Sequence, residues 1–385
     1  MANEATHHPL VAINAHLLAG EASYRSAGIA VYILNLLRHL SADRDALDYR
    51  VLLGQQGRVP DDVTLPVTQS RMTTRHPVLR VLWEQARLPG LLQHLRADLL
   101  HATAFVGPWR APCPQVITVH DLSFLRHPEF FRQGNRRYLG MMTGIACRRA
   151  AAVIAVSQFT ASEVTALLGV PAERVHVVYH GIDPRYRPLP QDVIAQFRAD
   201  KGLPERFILH MGTLEPRKNL LHLIRAFARL RDPESYLVLA GGCGWFYAAL
   251  FAEVKRLGLE DRVLFPGFVP ADEQILWYNS ARAFAYPSLY EGFGLPVLES
   301  LACGVPTVTS ATTSLPEVAG NAALTVPPDD EDALVAALQR LLDDAALRET
   351  LRHSGLARAA QFTWEATAEQ TVQIYQQMIA SRRAR

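Results

Sequence analysis

Glu291 and Glu299 flank the stretch Gly292-Phe-Gly-Leu-Pro-Val-Leu298, where a loop gives way to a helix. Carboxylates accept hydrogen bonds from hydroxyls, and Gly292 and Gly294 put no Cβ in the way of a close ligand. Pro296 suits the first turn of a helix, and Gly304 suits the place just past its end. The N–H groups of that first turn lack intrahelical partners and draw an anion. Backbone donors for phosphate beside carboxylates for hydroxyls suit a nucleotide sugar.

A second anion signal is Met211-Gly-Thr-Leu-Glu-Pro-Arg217-Lys218, which runs from a strand end into a helix expected at 219–230. Two cations at a helix N-terminus are unfavourable by about 0.3–1 kcal/mol, and a bound diphosphate would reverse that sign. The alternative is that Gly212 only makes the turn and both side chains extend into solvent. His120, followed by Asp121, ends the strand-like run Val116-Ile-Thr-Val; it is either a structural histidine or a group that handles protons or a polar ligand. Gly28, in Ser26-Ala-Gly28-Ile29, offers backbone donors before a helix expected near Ala30, or simply a turn. Phe268 and Val269, after Gly267, border a base or pack on the core. The acidic run 329–332 directly precedes the apolar periodicity of a helix, so capping explains it better than a metal. No Asp-x-Asp follows a strand, which leaves the phosphate charge to Arg217, Lys218 and backbone N–H groups. No Gly-x-Gly-x-x-Gly follows the first strand, which speaks against a dinucleotide oxidoreductase.

Short apolar runs carry these residues at their ends: 10–13, 49–53, 98–101, 116–120, 152–156 and 175–180, then 207–211, 236–240, 262–265, 283–286, 306–309 and 323–326. Runs that are apolar on both faces, alternating with helical periodicity as at 219–230 and 332–342, predict parallel sheets and an α/β fold. The series restarts after the proline- and arginine-rich segment 183–190, which reads as a linker. Two doubly wound domains, 1–188 and 189–365, are expected to face a cleft with ligands at the carboxyl ends of the strands. A terminal helix, 366–385, is expected to pack back on the first domain.

The chain has 385 residues, 49% of them hydrophobic and 20% charged, with a net charge of +2. That length implies two domains, and the charge gives no reason to expect nucleic acid. Cys113, Cys147, Cys243 and Cys303 are scattered without metal-ligand spacing, as isolated thiols in a reducing compartment would be. The N-terminus lacks the basic start and apolar core of a signal peptide, and no apolar run approaches membrane-spanning length. A cytoplasmic protein is expected. Arginines 126, 132, 136, 137, 148 and 149 surround the apolar stretch 138–142, either as a solvated helix face or as a surface that rests on the inner side of an anionic membrane.

Glu291 and Glu299, with Phe293-Gly294-Leu295 between them, resemble the Glu-x7-Glu signature of the retaining glycosyltransferases of family 4, which have the GT-B fold. Segments 26–32, 120–125, 156–160, 180–187, 212–219 and 287–304 resemble family segments in the same order. Within the family, the chain is most similar to the mannosyltransferase B-like group that builds bacterial surface polysaccharide and lipopolysaccharide. The resemblance implies a metal-independent retaining hexosyltransferase, with GDP-mannose as donor and a glycan or lipid-linked acceptor. It further implies that Arg217 and Lys218 grip the diphosphate and that Glu299 binds the ribose. Glu291, helped by the backbone of Phe293, Gly294 and Leu295, would meet the donor sugar. Gly28 and Gly212 would lie in the donor loops, and His120 near sugar and acceptor. Ala30 and His180 depart from the pattern, where relatives often carry Gly and Asn. A UDP-hexose donor, a sugar-nucleotide epimerase and a non-catalytic sugar-nucleotide binder remain alternatives.

Overall fold

The computed structural model describes residues 8–18, 27–72, 77–130, 133–242, 244 and 247–383. Ser26, Arg132, Cys243 and the start of the N-terminal stretch lie outside them, as do the side chains of Arg136 and Arg137. The chain divides into two compact units, Met1–Gly181 with Trp364–Arg385, and Ile182–Thr363. The breaks thus fall at Gly181 and Thr363, not at 188 and 365.

The first unit carries β1 (Leu10–Asn14), β2 (Asp48–Leu53), β3 (Val67–Gln69), β4 (Leu99–Ala102), β5 (Gln115–Val119), β6 (Ala152–Ala155) and β7 (Val175–Val177). They form one parallel sheet in the order β3-β2-β1-β4-β5-β6-β7. Val11 and Ile13 on one face of β1 pack with Tyr32, Ile33 and Leu36 of helix Ala27–His39 and with Trp364, Val372 and Tyr375 of helix Trp364–Arg383. Ala12 on the other face packs with Trp83, Leu88 and Leu92. Apolar side chains on both faces of a strand are what a sheet sandwiched between helices demands.

The second unit carries β8 (Phe207–Met211), β9 (Tyr236–Ala240), β10 (Val263–Gly267), β11 (Ala283–Tyr286), β12 (Thr307–Ser310) and β13 (Leu324–Val326), in the parallel order β10-β9-β8-β11-β12-β13. Each unit is a Rossmann-like α/β layer structure. In the second, the order reverses between β8 and β11, so the loops after these two strands share the crevice where such sheets bind ligands.

Three expectations are corrected. β3 does not stand out as an apolar run, because Val67-Thr-Gln69 is a three-residue edge strand with mixed polarity. Segment 183–190 is no free linker: the Tyr186 hydroxyl donates to Gln274 Oε1 at 2.8 Å, and Leu189 N–H donates to Asn279 Oδ1 at 2.9 Å. Helix Ala27–His39 begins before Ala30, so Gly28 lies in its first turn, exposed, instead of in a loop.

The acidic run does cap a helix. Asp330 Oδ1 accepts from Ala333 N at 2.9 Å at the start of Glu331–Asp343, while Glu331 and Asp332 pair with Arg229. Cys113, Cys147 and Cys303 are buried free thiols.

The end of β8 approaches the end of β9 so closely that only glycine fits. Gly241 has φ +152°, and a Cβ on it would lie 1.8 Å from the carbonyl oxygen of Gly212. Backbone cannot yield as a side-chain tip can. Gly241→Ala is therefore expected to destabilise the second unit by about 3 kcal/mol or more, read by urea denaturation. A wild-type midpoint would show that the two strand ends separate freely.

Candidate active site

In the second unit, Arg217 and Lys218 sit in the short 3-10 turn Pro216–Lys218 between β8 and helix Leu220–Ala228. Neither extends into solvent. Lys218 is buried, and its Nζ donates to Glu291 Oε1 and to the Tyr286 hydroxyl, each at 2.6 Å. Arg217 Nη1 donates to Glu291 Oε2 at 2.8 Å and to the Tyr290 carbonyl at 2.7 Å, while Nη2 donates to Glu215 Oε1 at 2.7 Å. The turn is tied to the loop after β11 by backbone as well, since Leu289 N–H and Ser288 Oγ donate to the Arg217 carbonyl at 2.9 and 3.0 Å.

Glu291 is therefore the hub of the site. Besides the two cations, the Tyr286 hydroxyl donates to its Oε1 at 3.0 Å and Ser288 Oγ donates at 2.7 Å. Burial alone would raise its pKa. The guanidinium of Arg217 and the ammonium of Lys218 overcome that and hold the carboxyl at about 2. Burial and the neighbouring Arg217 charge lower the pKa of Lys218, against the pull of Glu291. Ser314 Oγ fastens the loop by donating to the carbonyls of Glu291 and Phe293 at 2.9 and 2.8 Å.

Helix Leu295–Ala302 starts after Gly294, which has φ +110° and whose missing Cβ would lie 2.7 Å from Leu315 Cδ2. The glycine is thus required by its own backbone and by Leu315, not by a ligand alone. Leu295 is partly exposed, and Phe293 is buried against Phe362 with ring centroids 5.9 Å apart. Glu299, one turn into the helix, keeps some exposure and accepts from the Tyr278 hydroxyl at 2.8 Å. Burial pushes its carboxyl up to about 7, although Tyr278 and Tyr186 oppose this with hydrogen bonds. Beyond β10, Phe268 is 53% exposed while Val269 is buried. Gly212 follows β8 with φ +148°.

In the first unit, His120 is the first residue after β5. It is buried, and its Nε2 donates to the Thr103 carbonyl at 2.9 Å, which leaves Nδ1 as the acceptor of the neutral ring. Burial lowers its pKa to about 4 against that hydrogen bond and the Asp121 charge. The rings of Tyr32 and Phe105 meet it edge-on at 5.0 and 5.8 Å, and His180 lies 5.7 Å away. A buried pair absent from the expectations stands after β1: His16 Nε2 and Glu84 Oε1, 3.1 Å apart. Gly28 has open space where its Cβ would be.

Of the basic segment, Arg126 pairs with Glu163, and Arg148 and Arg149 donate to the carbonyls of Leu168 and Trp109. Among the described residues, no group of acidic, histidine and cysteine side chains could hold a metal ion, and no helix is long and apolar enough to cross a membrane.

Sequence reasoning thus names Arg217, Lys218 and Glu291, which the fold gathers into one cluster. It misses Glu215, Tyr286, Ser288 and Ser314, which complete that cluster. Tyr286 and Ser288 belong to the motif around Glu291 and are legible as its neighbours. Ser314 carries no pattern.

The family model described as Glycosyltransferase Family 4 matches residues 26–186, and that for glycosyl transferases group 1 matches residues 194–358. The chain is 32% identical to the O-antigen chain mannosyltransferase B of Escherichia coli, over 91% of this chain and 96% of that protein. To the serotype-specific mannosyltransferase WbdA of Escherichia coli it is 31% identical, over 71% of this chain but 34% of that protein. The solved sucrose-phosphate synthase from Thermosynechococcus elongatus superposes with a TM-score of 0.79 at 23% identity, over 97% of this chain and 100% of that one, which is a likeness of fold.

Proposed function

The chain belongs to the group 1 glycosyl transferases of family 4, and we propose that it transfers mannose from GDP-mannose to a glycan or lipid-linked acceptor with retention at the anomeric carbon. The observation that carries this is the cluster of Arg217, Lys218 and Glu291 at the strand-order reversal of the second sheet. Mannose is favoured because the relatives matched over 91% and 71% of the chain in Escherichia coli are mannosyltransferases by name.

Charge builds on the departing diphosphate while the sugar becomes oxocarbenium-like. Arg217, Lys218 and the first-turn N–H groups near Leu295 are fixed donors suited to that charge, and such preorganised groups usually lower a barrier more than any other single effect. Two cations that balance the diphosphate make a divalent metal unnecessary in this scheme. Glu291 would turn from its cations to the sugar hydroxyls, and Glu299 would take the ribose. Phe293 and Gly294 would contribute backbone, while Gly212, Phe268 and Val269 would border the nucleotide. Gly28 and the neutral His120 would serve from the first unit. The acceptor oxygen attacks C1 on the face the diphosphate leaves; the C1–O bond to phosphate breaks, and the acceptor's proton passes to a phosphate oxygen.

The exposed Trp109, bonded through its carbonyl to Arg149, and the exposed Met141 of the same basic segment support contact with an anionic membrane on the cytoplasmic side, where a lipid-linked acceptor would be presented.

Thermal melting with EDTA present against GDP, UDP, ADP and their hexose conjugates tests the donor. GDP-mannose is expected to raise the melting temperature most, through a stabilisation of RT ln(1 + [L]/Kd), about 2.7 kcal/mol at 100 Kd. A larger shift with a UDP-hexose would overturn GDP-mannose. A shift that requires added metal would overturn metal independence. Release of an epimerised nucleotide sugar, or binding without transfer to any acceptor, would overturn the transferase.

A further inference from the structure

Glu291 has two duties that conflict. It neutralises Lys218 in the ligand-free protein, yet in the proposed reaction it faces the donor sugar. Lys218 would then be a buried ammonium beside Arg217 at a helix start, an unfavourable place for positive charge. The diphosphate balances the charge only from its own side, so the ammonium still has to be held in place on the protein side, where two groups that the function does not use stand.

The first is the Tyr286 hydroxyl, which accepts from Lys218 Nζ at 2.6 Å and donates to Glu291 at 3.0 Å. The second is His210, on the neighbouring strand β8 and fully buried. Its ring lies parallel to that of Tyr286, with centroids 5.3 Å apart and planes 11° apart. His210 Nδ1 donates to the Ala285 carbonyl at 3.0 Å, which fixes Nε2 as an acceptor, and burial keeps the ring neutral. Nε2 is buried and has no hydrogen-bond partner among the described residues. An unpaired buried acceptor of this kind is costly to keep, so its retention calls for an explanation.

The space left by the missing Cβ of Gly212 supplies one. His210 Nε2, Lys218 Cε and Tyr286 Cε2 border that point at 3.7, 3.9 and 4.0 Å. The ammonium of Lys218 therefore has room to turn toward Nε2 without leaving the site.

We propose that Tyr286 and His210 are positioning residues that hold the Lys218 ammonium in place, Tyr286 Oη and His210 Nε2 each accepting a hydrogen bond from it, once Glu291 turns to the donor. This rests on the transferase reading for its purpose, but the anchoring itself is measurable without substrate. The chain has only three lysines, Lys201, Lys218 and Lys255, so 13Cε-lysine labelling of the full chain gives three signals, two of which report on the fold elsewhere.

Glu291→Gln mimics the turned-away state. In that background, adding His210→Phe, which keeps a stacked ring but removes Nε2, is expected to lower the Lys218 pKa by about one unit more, the scale of one charge-assisted hydrogen bond. Tyr286→Phe is expected to do the same, and His210→Gln to restore part of the loss. Lys201 and Lys255 should not move. An unchanged Lys218 titration in both double variants overturns the proposal. Should one double variant fail to fold, the other decides. If the titrations shift as stated but the wild type does not turn over GDP-mannose, the donor assignment fails and the anchor stands.

Discussion

Lys218→Ala should reduce turnover about 10²- to 10³-fold, the range found when one fixed donor to developing charge is removed. The loss should fall on kcat more than on donor KM, because the diphosphate carries most of its new charge in the transition state. The fold should persist. Glu291 keeps Arg217 at 2.8 Å and the hydroxyls of Tyr286 and Ser288 at 3.0 and 2.7 Å, so no buried carboxylate is orphaned. Arg217 is a poor substitute for the missing ammonium, because its other guanidinium nitrogen is bonded to Glu215 at 2.7 Å. Steady-state rates at saturating donor, with a melting curve for each protein, decide the matter. A folded variant with near-normal kcat would remove Lys218 from the chemistry.

The parallel strands were legible because a strand buried on both faces must be apolar throughout. Phe207–Met211, Tyr236–Ala240 and Ala283–Tyr286 coincide with apolar runs for that reason. The same logic hid two features. Val67–Gln69 is an edge strand and needs no apolar run, and His210 sits in the apolar run 207–211, where it reads as strand, not site. The cations were legible from type and place, since Arg217 and Lys218 at a helix start conflict with the dipole unless something negative meets them. That this partner is Glu291, 73 residues from Lys218, is a matter of strand order. It follows from β11 lying beside β8, and one sequence does not state which strands are neighbours. Glu299 differs: its position was legible, but the tyrosines around it, 278 and 186, come from another helix and from the segment that resembled a linker.

Glu291→Gln should cost the second unit about 3–5 kcal/mol at pH 7, the range for removing one member of a buried ion pair and leaving the other charged. Arg217 would retain Glu215 and the Tyr290 carbonyl, so the burden falls on Lys218. The sign of the pH dependence separates this from a packing defect. The Glu291 carboxyl titrates at about 2 in the fold and at about 4.3 unfolded. Its contribution is therefore complete above the unfolded value and disappears as pH falls through the folded one. The wild type should lose stability between about pH 4.5 and 2 while Glu291→Gln, with nothing to protonate there, changes less. Glu299 has the opposite sign, since its folded value of about 7 makes it destabilising as pH rises from about 4.3 to 7, but it is present in both proteins and cancels. Urea denaturation at pH 7 and pH 3 should show the gap between the two proteins narrowing at the lower pH. A gap that stays constant would mean that the glutamine disturbs packing and that the two cations do not depend on Glu291.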